Sequence, residues 1–148
     1  MAALGSYNIM DSAPEPDYDD ITELAAQICR SPVALINLID ESRTWKKSTC
    51  GVSPDRLATP RDMSICSSVI CRTDLLVVPD LKTDERFSEY PHVVGEPHFR
   101  FYCGMPLINP EGYALGMLET RVGEGAVAGA EIVKPGAGQG VHLGHSRA

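Results

Sequence analysis

The thiols are the side chains of this sequence best suited to covalent chemistry. Cys66 and Cys71 lie five apart on a predicted short helix, and Cys103 lies on a predicted strand that could face them. A thiol attacks as the thiolate, which near neutral pH needs a cationic neighbour or a helix N-terminus. Cys66 has such a setting, near the start of its helix and not far in sequence from Arg61. Its neighbours Ile65, Val69 and Ile70 point instead to burial, which favours the neutral thiol. Buried free cysteine is also a common small core residue. The five cysteines are odd in number and contain no C-x-x-C pair, unlike a disulfide framework, so a reducing, cytoplasmic setting is expected. His142 and His145 could touch a metal, but in a glycine-rich tail they are expected to be solvated. Gly123-Glu124-Gly125-Ala126-Val127-Ala128 meets a relaxed dinucleotide-binding pattern by chance, since neither a helix nor a further β-α-β unit follows. A Walker-type phosphate loop, an H-E-x-x-H pair and a G-x-S-x-G elbow are all missing. No catalytic residue and no metal ligand is assigned.

The elements that must position these residues begin with a helix. Ile21, Leu24, Ala25 and Ile28 follow the i, i+3, i+4, i+7 stripe of one helix face. Asp17 is the expected cap, with acidic residues in the first turn, and Arg30 and Pro32 mark the stop. Val33 to Ile39 is apolar except for Asn37, as suits a strand buried on both faces. After a turn at 40–43, Thr44 to Cys50 carries lysines on both faces, as an edge strand would. Residues 51–60 are a predicted loop. Asp62 or Ser64 caps a short helix reaching about Arg72, with Ile65, Cys66, Val69 and Ile70 inward. Leu75 to Val78 is a strand, and 81–98 a long crossing loop with one helical turn at 84–87. Loops of that length in compact domains are usually functional. Phe99 to Ile108 alternates, with Phe99, Phe101, Cys103, Met105 and Leu107 on one face and Arg100, Tyr102, Gly104 and Pro106 on the other. A turn at 109–112 leads to a return strand from Tyr113 to about Thr120.

The expected class is α+β, with an antiparallel sheet of five to six strands and helices packed on it. At 148 residues and 43% hydrophobic content the chain suits one domain with a single core. A net charge of -7 argues against nucleic-acid binding, which needs clustered Lys and Arg. The longest apolar run, 33–39, falls far short of the roughly 20 residues of a membrane-spanning helix. Residues 1–16 form a lead-in, 17–121 the domain, and 122–148 a glycine-rich tail expected to be disordered, because ordering it costs backbone entropy and buries little.

The order of motifs resembles the GAF domain, a sensory module of bacterial histidine kinases and cyclic-dinucleotide enzymes. The resemblance rests on Asp19-Asp20-Ile21-Thr22 through Ser31-Pro32-Val33-Ala34-Leu35-Ile36, on Pro60-Arg61-Asp62-Met63-Ser64-Ile65-Cys66, and on Val77-Val78-Pro79-Asp80 with Asp84-Glu85-Arg86-Phe87. Phe101 to Leu107 and Gly112 to Leu118 complete it. Two features depart from the family. Its long C-terminal helix has no counterpart, since Leu118 is followed by Glu119-Thr120-Arg121 and the tail, and its output domain or kinase is not in this chain.

The resemblance implies a small-molecule ligand between the sheet and the segments crossing it. Arg61, Ser64, Cys66, Arg100 and Tyr102 are the candidate ligand-binding residues. Arg100 and Tyr102 would orient the ligand in space left by Gly104, opposite a Phe101, Cys103 and Met105 core face. Arg61 could hold an anion or pair with Asp62 or Asp80. The implied function is non-catalytic sensing in two-component or cyclic-dinucleotide signalling, with no cofactor specified. Two alternatives share the fold: a cysteine-dependent free methionine sulfoxide reductase, and a ligand-free remnant that only dimerises. With the C-terminal helix missing, an exposed Ile21, Leu24 and Ile28 face would favour a homodimer.

Overall fold

The computed structural model of the protein describes residues 2–5, 7–51, 58–123 and 141–142. A short helix α1 (Ala2–Gly5) precedes α2 (Pro16–Ile28), followed by β1 (Val33–Ile39), β2 (Arg43–Cys50) and β3 (Ala58–Pro60). A 3-10 turn at Arg61–Met63 leads into α3 (Ile65–Val69), then β4 (Leu76–Val78), α4 (Pro91–Val94), β5 (Phe99–Ile108), β6 (Ala114–Gly123) and the two-residue β7 (Val141–His142). The sheet runs β3-β2-β1-β6-β5-β4 with every pairing antiparallel, and β7 adds to β5 in parallel. This is the α+β antiparallel sheet expected. The expectation of a disordered tail falls mostly on 124–140 and 143–148, outside the described residues.

α2 begins two residues earlier than a cap at Asp17 would set it. Pro16 occupies the first turn, where its missing N–H costs nothing, and Glu15 stands at the cap position without a side-chain cap bond, so Asp17 is not the cap. The stop is a reciprocal pair of bonds: Ser31 N–H donates to Ala26 O and Arg30 N–H to Gln27 O. Arg30 takes the left-handed conformation (φ 46°) that glycine usually supplies in this motif.

α2 does not lay its large apolar stripe on the sheet. Thr22 is fully buried, with its hydroxyl 2.9 Å from that of Ser48 on β2, while Leu24 and Ile28 are 55% and 70% exposed and Ile21 also faces solvent. The buried flank runs through Tyr18, Thr22, Ala25, Ala26 and Cys29, a second stripe of helical spacing made mostly of small residues. Small side chains let the helix axis approach the pleated sheet closely, and that approach outweighs burial of the bulkier face.

β1 is buried along its whole length, as its composition predicts. β2 is not a bare edge, since β3 pairs with Arg43–Trp45. A register shift opposite Ile36 and Asn37 makes Lys47 the extra residue of β2. Lys46 thus shares the face of Asn37, and Ser48 that of Ile36 beneath α2. Lys47 is buried, with its ammonium donating to Ser12 Oγ and Ala13 O (2.7 Å each), pairing with Glu15 (2.5 Å) and lying over the Tyr18 ring. A buried lysine satisfied this fully pins the lead-in against the sheet.

The main core lies on the other face, beneath α3, the 79–98 crossing segment and α4. It gathers Val33, Leu35 and Ile39 of β1, Ile65, Cys66 and Ile70, then Phe87 and Val93, with Phe99, Tyr102 and Met117. A second register shift, between Phe99 and Phe101, puts Phe99 on the same face as Tyr102. This inverts the expected sidedness of β5: the Tyr102 face is the principal core, and Phe101 and Met105 are only half-buried.

Candidate functional site

The face of β1, β6 and β5 beneath the crossing segments should be wholly apolar if it were only a core. It is not. Asn37 interrupts the apolar run of β1, and β6 places Glu119 and Arg121 after Met117 on the same inward face. Cross-strand pairing sets Asn37 against Met117, Leu35 against Glu119, and Tyr102 against Arg121. All three polar residues are buried.

They form one hydrogen-bonded group. Arg121 donates to Glu119 Oε1 at 2.5 Å, and the Asn37 amide donates to the same oxygen. A carboxylate only accepts, so this contact fixes the Asn37 amide with its nitrogen towards Glu119 and its oxygen turned away. The Arg121 guanidinium lies 5.2 Å from the Phe99 ring centroid and 5.6 Å from that of Tyr102, held between two aromatic faces. The shift in β5 that turns Phe99 inward therefore also builds this clamp. Burial alone would lower the Arg121 pKa, but Glu119 and its other neighbours raise it, so it stays charged.

Asn37 Oδ1, Glu119 Oε2, Arg121 Nε and Tyr102 OH find no hydrogen-bond partner among the described residues. Buried polar groups are costly when unpaired. Two of these residues, Asn37 and Arg121, line a cleft of about 700 Å³. Its walls come from Leu35, Ile65, Phe99, Tyr90 and Pro97, with Thr44, Lys46 and Ser64 adding polar groups. Lys46 reaches across to Thr59 Oγ1 at 3.4 Å. The volume falls within the usual range of small-molecule pockets, and His92 and Glu96 add further polar groups to the lining.

Ser64 lines the cleft and accepts a 2.9 Å bond from Thr44. Cys66 lies just behind, 2.8 Å from Ser64 Oγ and fully buried. Burial first, and the negative charge of Glu119 second, push its thiol up to about 11, so the protonated form prevails near neutral pH. Tyr102 is fully enclosed; burial and Glu119 hold its phenol well above the usual range. Gly104 leaves no room for a ligand. A Cβ there would sit 2.5 Å from the Tyr102 hydroxyl, so the glycine makes space for that ring.

The other two candidates lie elsewhere. Arg61 donates to Asp40 O at 2.9 Å, rather than pairing with Asp62 or Asp80, and lines a separate 300 Å³ recess with Ile70, Tyr113 and Leu115. Arg100 donates to Val93 O and Phe99 O and is not among the residues lining the cleft. The structure therefore gathers Ser64, Cys66 and Tyr102 around a polar floor that sequence reasoning missed. The available signal was Asn37 in a strand otherwise apolar, and Glu119 and Arg121 two apart, in phase with Met117.

Among the described residues no group of three or more His, Cys, Asp or Glu is placed to hold a metal ion, and no helix is long and apolar enough to cross a membrane. A 117-residue segment is 33% identical to the cyclic di-GMP phosphodiesterase PA2567 of Pseudomonas aeruginosa, covering 79% of this chain and 20% of that protein. The chain thus spans about one fifth of the length of that relative. Among solved structures, the GAF domain of a phosphoenolpyruvate-protein phosphotransferase from Coxiella burnetii superposes with a TM-score of 0.60 at 13% identity, covering 82% of this chain and 74% of that one. The type II free methionine-R-sulfoxide reductase from Thermoplasma acidophilum superposes with a TM-score of 0.58 at 10% identity, covering 72% of each. At such identities these two likenesses speak to the fold alone. The GAF domain family itself matches residues 14–120, and the chain belongs to it.

Proposed function

We propose that the chain is a non-catalytic sensory GAF domain that binds a small molecule in the 700 Å³ cleft and acts in two-component or cyclic-dinucleotide signalling. One observation carries this reading: the cleft is lined by Asn37 and Arg121, both members of a buried hydrogen-bonded group with Glu119 that holds unpartnered polar atoms. A fold gains nothing from burying such a group beside a cavity unless something completes its hydrogen bonds. Ser64 contacts the ligand, and Cys66 and Tyr102 support the floor from behind. The similarity to a cyclic di-GMP phosphodiesterase supports the signalling context, with the output carried by a domain or kinase that the ligand regulates. Self-association through Ile21, Leu24 and Ile28 belongs to the same reading, because their exposure leaves an apolar stripe along α2.

The reductase reading is weaker on the geometry of Cys66. A nucleophilic thiol must be reachable and partly ionised, and this one is enclosed and protonated. Screening a soluble-metabolite library by thermal shift, on the wild type and on Ala58→Trp, tests the proposal. Ala58 is exposed and lines the cleft, so tryptophan there obstructs it without touching the core. At least one compound should raise the wild-type melting temperature and fail to raise that of the variant. Compounds that act equally on both would place binding elsewhere, and thiol-dependent methionine sulfoxide turnover lost in Cys66→Ser would favour the reductase.

A further inference from the structure

Arg61 and Arg72 flank α3 in sequence, and both line the 300 Å³ recess that is separate from the cleft. Leu4 of the lead-in, Ile70, and Tyr113 and Leu115 after the 109–112 turn complete its walls. Leu4, Ile70 and Leu115 are buried and Tyr113 is exposed, so an apolar base meets an open aromatic side. Among the described residues lining it, these two arginines are the charged ones and none is acidic, in a chain of net charge -7. The cleft differs, since Glu96 shares its lining with Lys46, His92 and Arg121.

Neither arginine is held by a buried carboxylate. Arg61 uses one of its five N–H donors on the main-chain oxygen of Asp40 at 2.9 Å, a neutral acceptor that anchors the head group without cancelling its charge. The Asp40 carboxylate itself accepts from Ser42 and Arg43. Arg72 meets Asp74 at 3.2 Å, but both side chains are exposed, and a surface pair of that kind binds weakly. Arginine's planar fork matches the oxygens of a carboxylate or phosphate.

We propose that this recess is a second ligand site, for a small organic anion whose carboxylate or phosphate meets Arg61 and Arg72 and whose apolar body lies against Ile70, Tyr113 and Leu115. Because Leu4 belongs to the lead-in, a bound anion joins that segment to α3 and to the β5–β6 hairpin.

Cys71 also lines the recess and its side chain is exposed, so its alkylation by iodoacetamide, followed by peptide mass spectrometry on the full chain, reports occupancy. The reagent is neutral, and sodium chloride holds the ionic strength constant. Benzoate and phenyl phosphate should slow the reaction saturably, with benzamide and inorganic phosphate needing at least about tenfold higher concentrations. Arg72→Gln and Arg61→Gln should each weaken protection by both organic anions at least about tenfold. Should Arg61→Gln not fold, Arg72→Gln decides, because its side chain is exposed. Arg86→Gln, at an exposed arginine outside the recess, and Ala58→Trp, which obstructs the cleft, should leave protection unchanged. Benzamide protecting as well as benzoate would overturn the anion, and inorganic phosphate matching phenyl phosphate would overturn the apolar contact. Equal weakening in Arg86→Gln would reduce the effect to general charge attraction, and loss in Ala58→Trp would move the ligand to the cleft. Absence of protection by every compound would remove the site.

Discussion

The two faces of the sheet are finished in opposite ways. Beneath the crossing segments, β1, β5 and β6 meet a deep core that nevertheless admits a buried ion pair, an asparagine amide and a cleft. Beneath α2, the cover is thin. A small cluster of Leu4, Leu38, Trp45 and Leu115 packs under the lead-in, while Phe101 and Met105 stay half-buried and Leu24 and Ile28 face outward. Apolar surface is left exposed where nothing chemical is needed, and polar groups are buried where chemistry is possible. Neither choice maximises stability, and the proposed function gives each face a use: the cleft for a ligand, the α2 stripe for self-association.

The largest effect should come from separating the buried pair. Arg121→Met leaves Glu119 uncompensated and should cost about 3–5 kcal/mol in urea unfolding. Leu24→Ala on α2 should cost less than about 0.5 kcal/mol, because its side chain is largely exposed. Similar costs for the two would break the contrast between the faces. Next in size is Gly104→Ala, where the new methyl meets the Tyr102 ring and hydroxyl. A loss of about 1–3 kcal/mol is expected, partly recovered in the double variant with Tyr102→Phe, since the hydroxyl is the closest atom. No recovery would mean that the glycine serves the backbone instead.

On the α2 face, Leu24→Glu with Ile28→Glu should leave monomer stability within about 0.5 kcal/mol of the wild type. Sedimentation velocity should show the wild type self-associating at high concentration and the double variant remaining monomeric. A monomeric wild type would remove the association from the account. The smallest effect is a pH dependence. The Cys66 thiol is raised from 9.0 to about 11 in the folded state, so the fold favours its protonated form. Its contribution to stability is therefore complete below pH 9.0 and is lost as pH rises towards and through about 11. Cys103, pushed up to about 11 by burial first and by Cys29 second, adds to the same slope. Urea midpoints measured across that range should fall less steeply in Cys66→Ser, and an unchanged slope would show that Cys66 does not contribute.

Much of this architecture was legible because it rests on periodicity. The buried strand β1, the short helix of Ile65 and Cys66 and the turn at 109–112 all carry strong local signals. The errors have local causes too. Two register shifts, at Lys47 and at Arg100, each turn part of a strand over, and nothing in a strict two-residue alternation announces them. The orientation of α2 was hidden because its small-residue stripe competes with a more conspicuous large one. The floor of the cleft was missed for a different reason: Glu119 and Arg121 read as a polar strand end, and only pairing with Leu35 and Tyr102 shows that they point inward.

Hydrogen exchange with and without a compound that raises the melting temperature tests the central claim most directly. Protection is predicted to concentrate in 35–46, 58–66, 90–99 and 117–122, the segments around the cleft, while α2 changes little. Protection confined to α2 and the lead-in, with 117–122 unaffected, would contradict the account by placing the ligand on the opposite face.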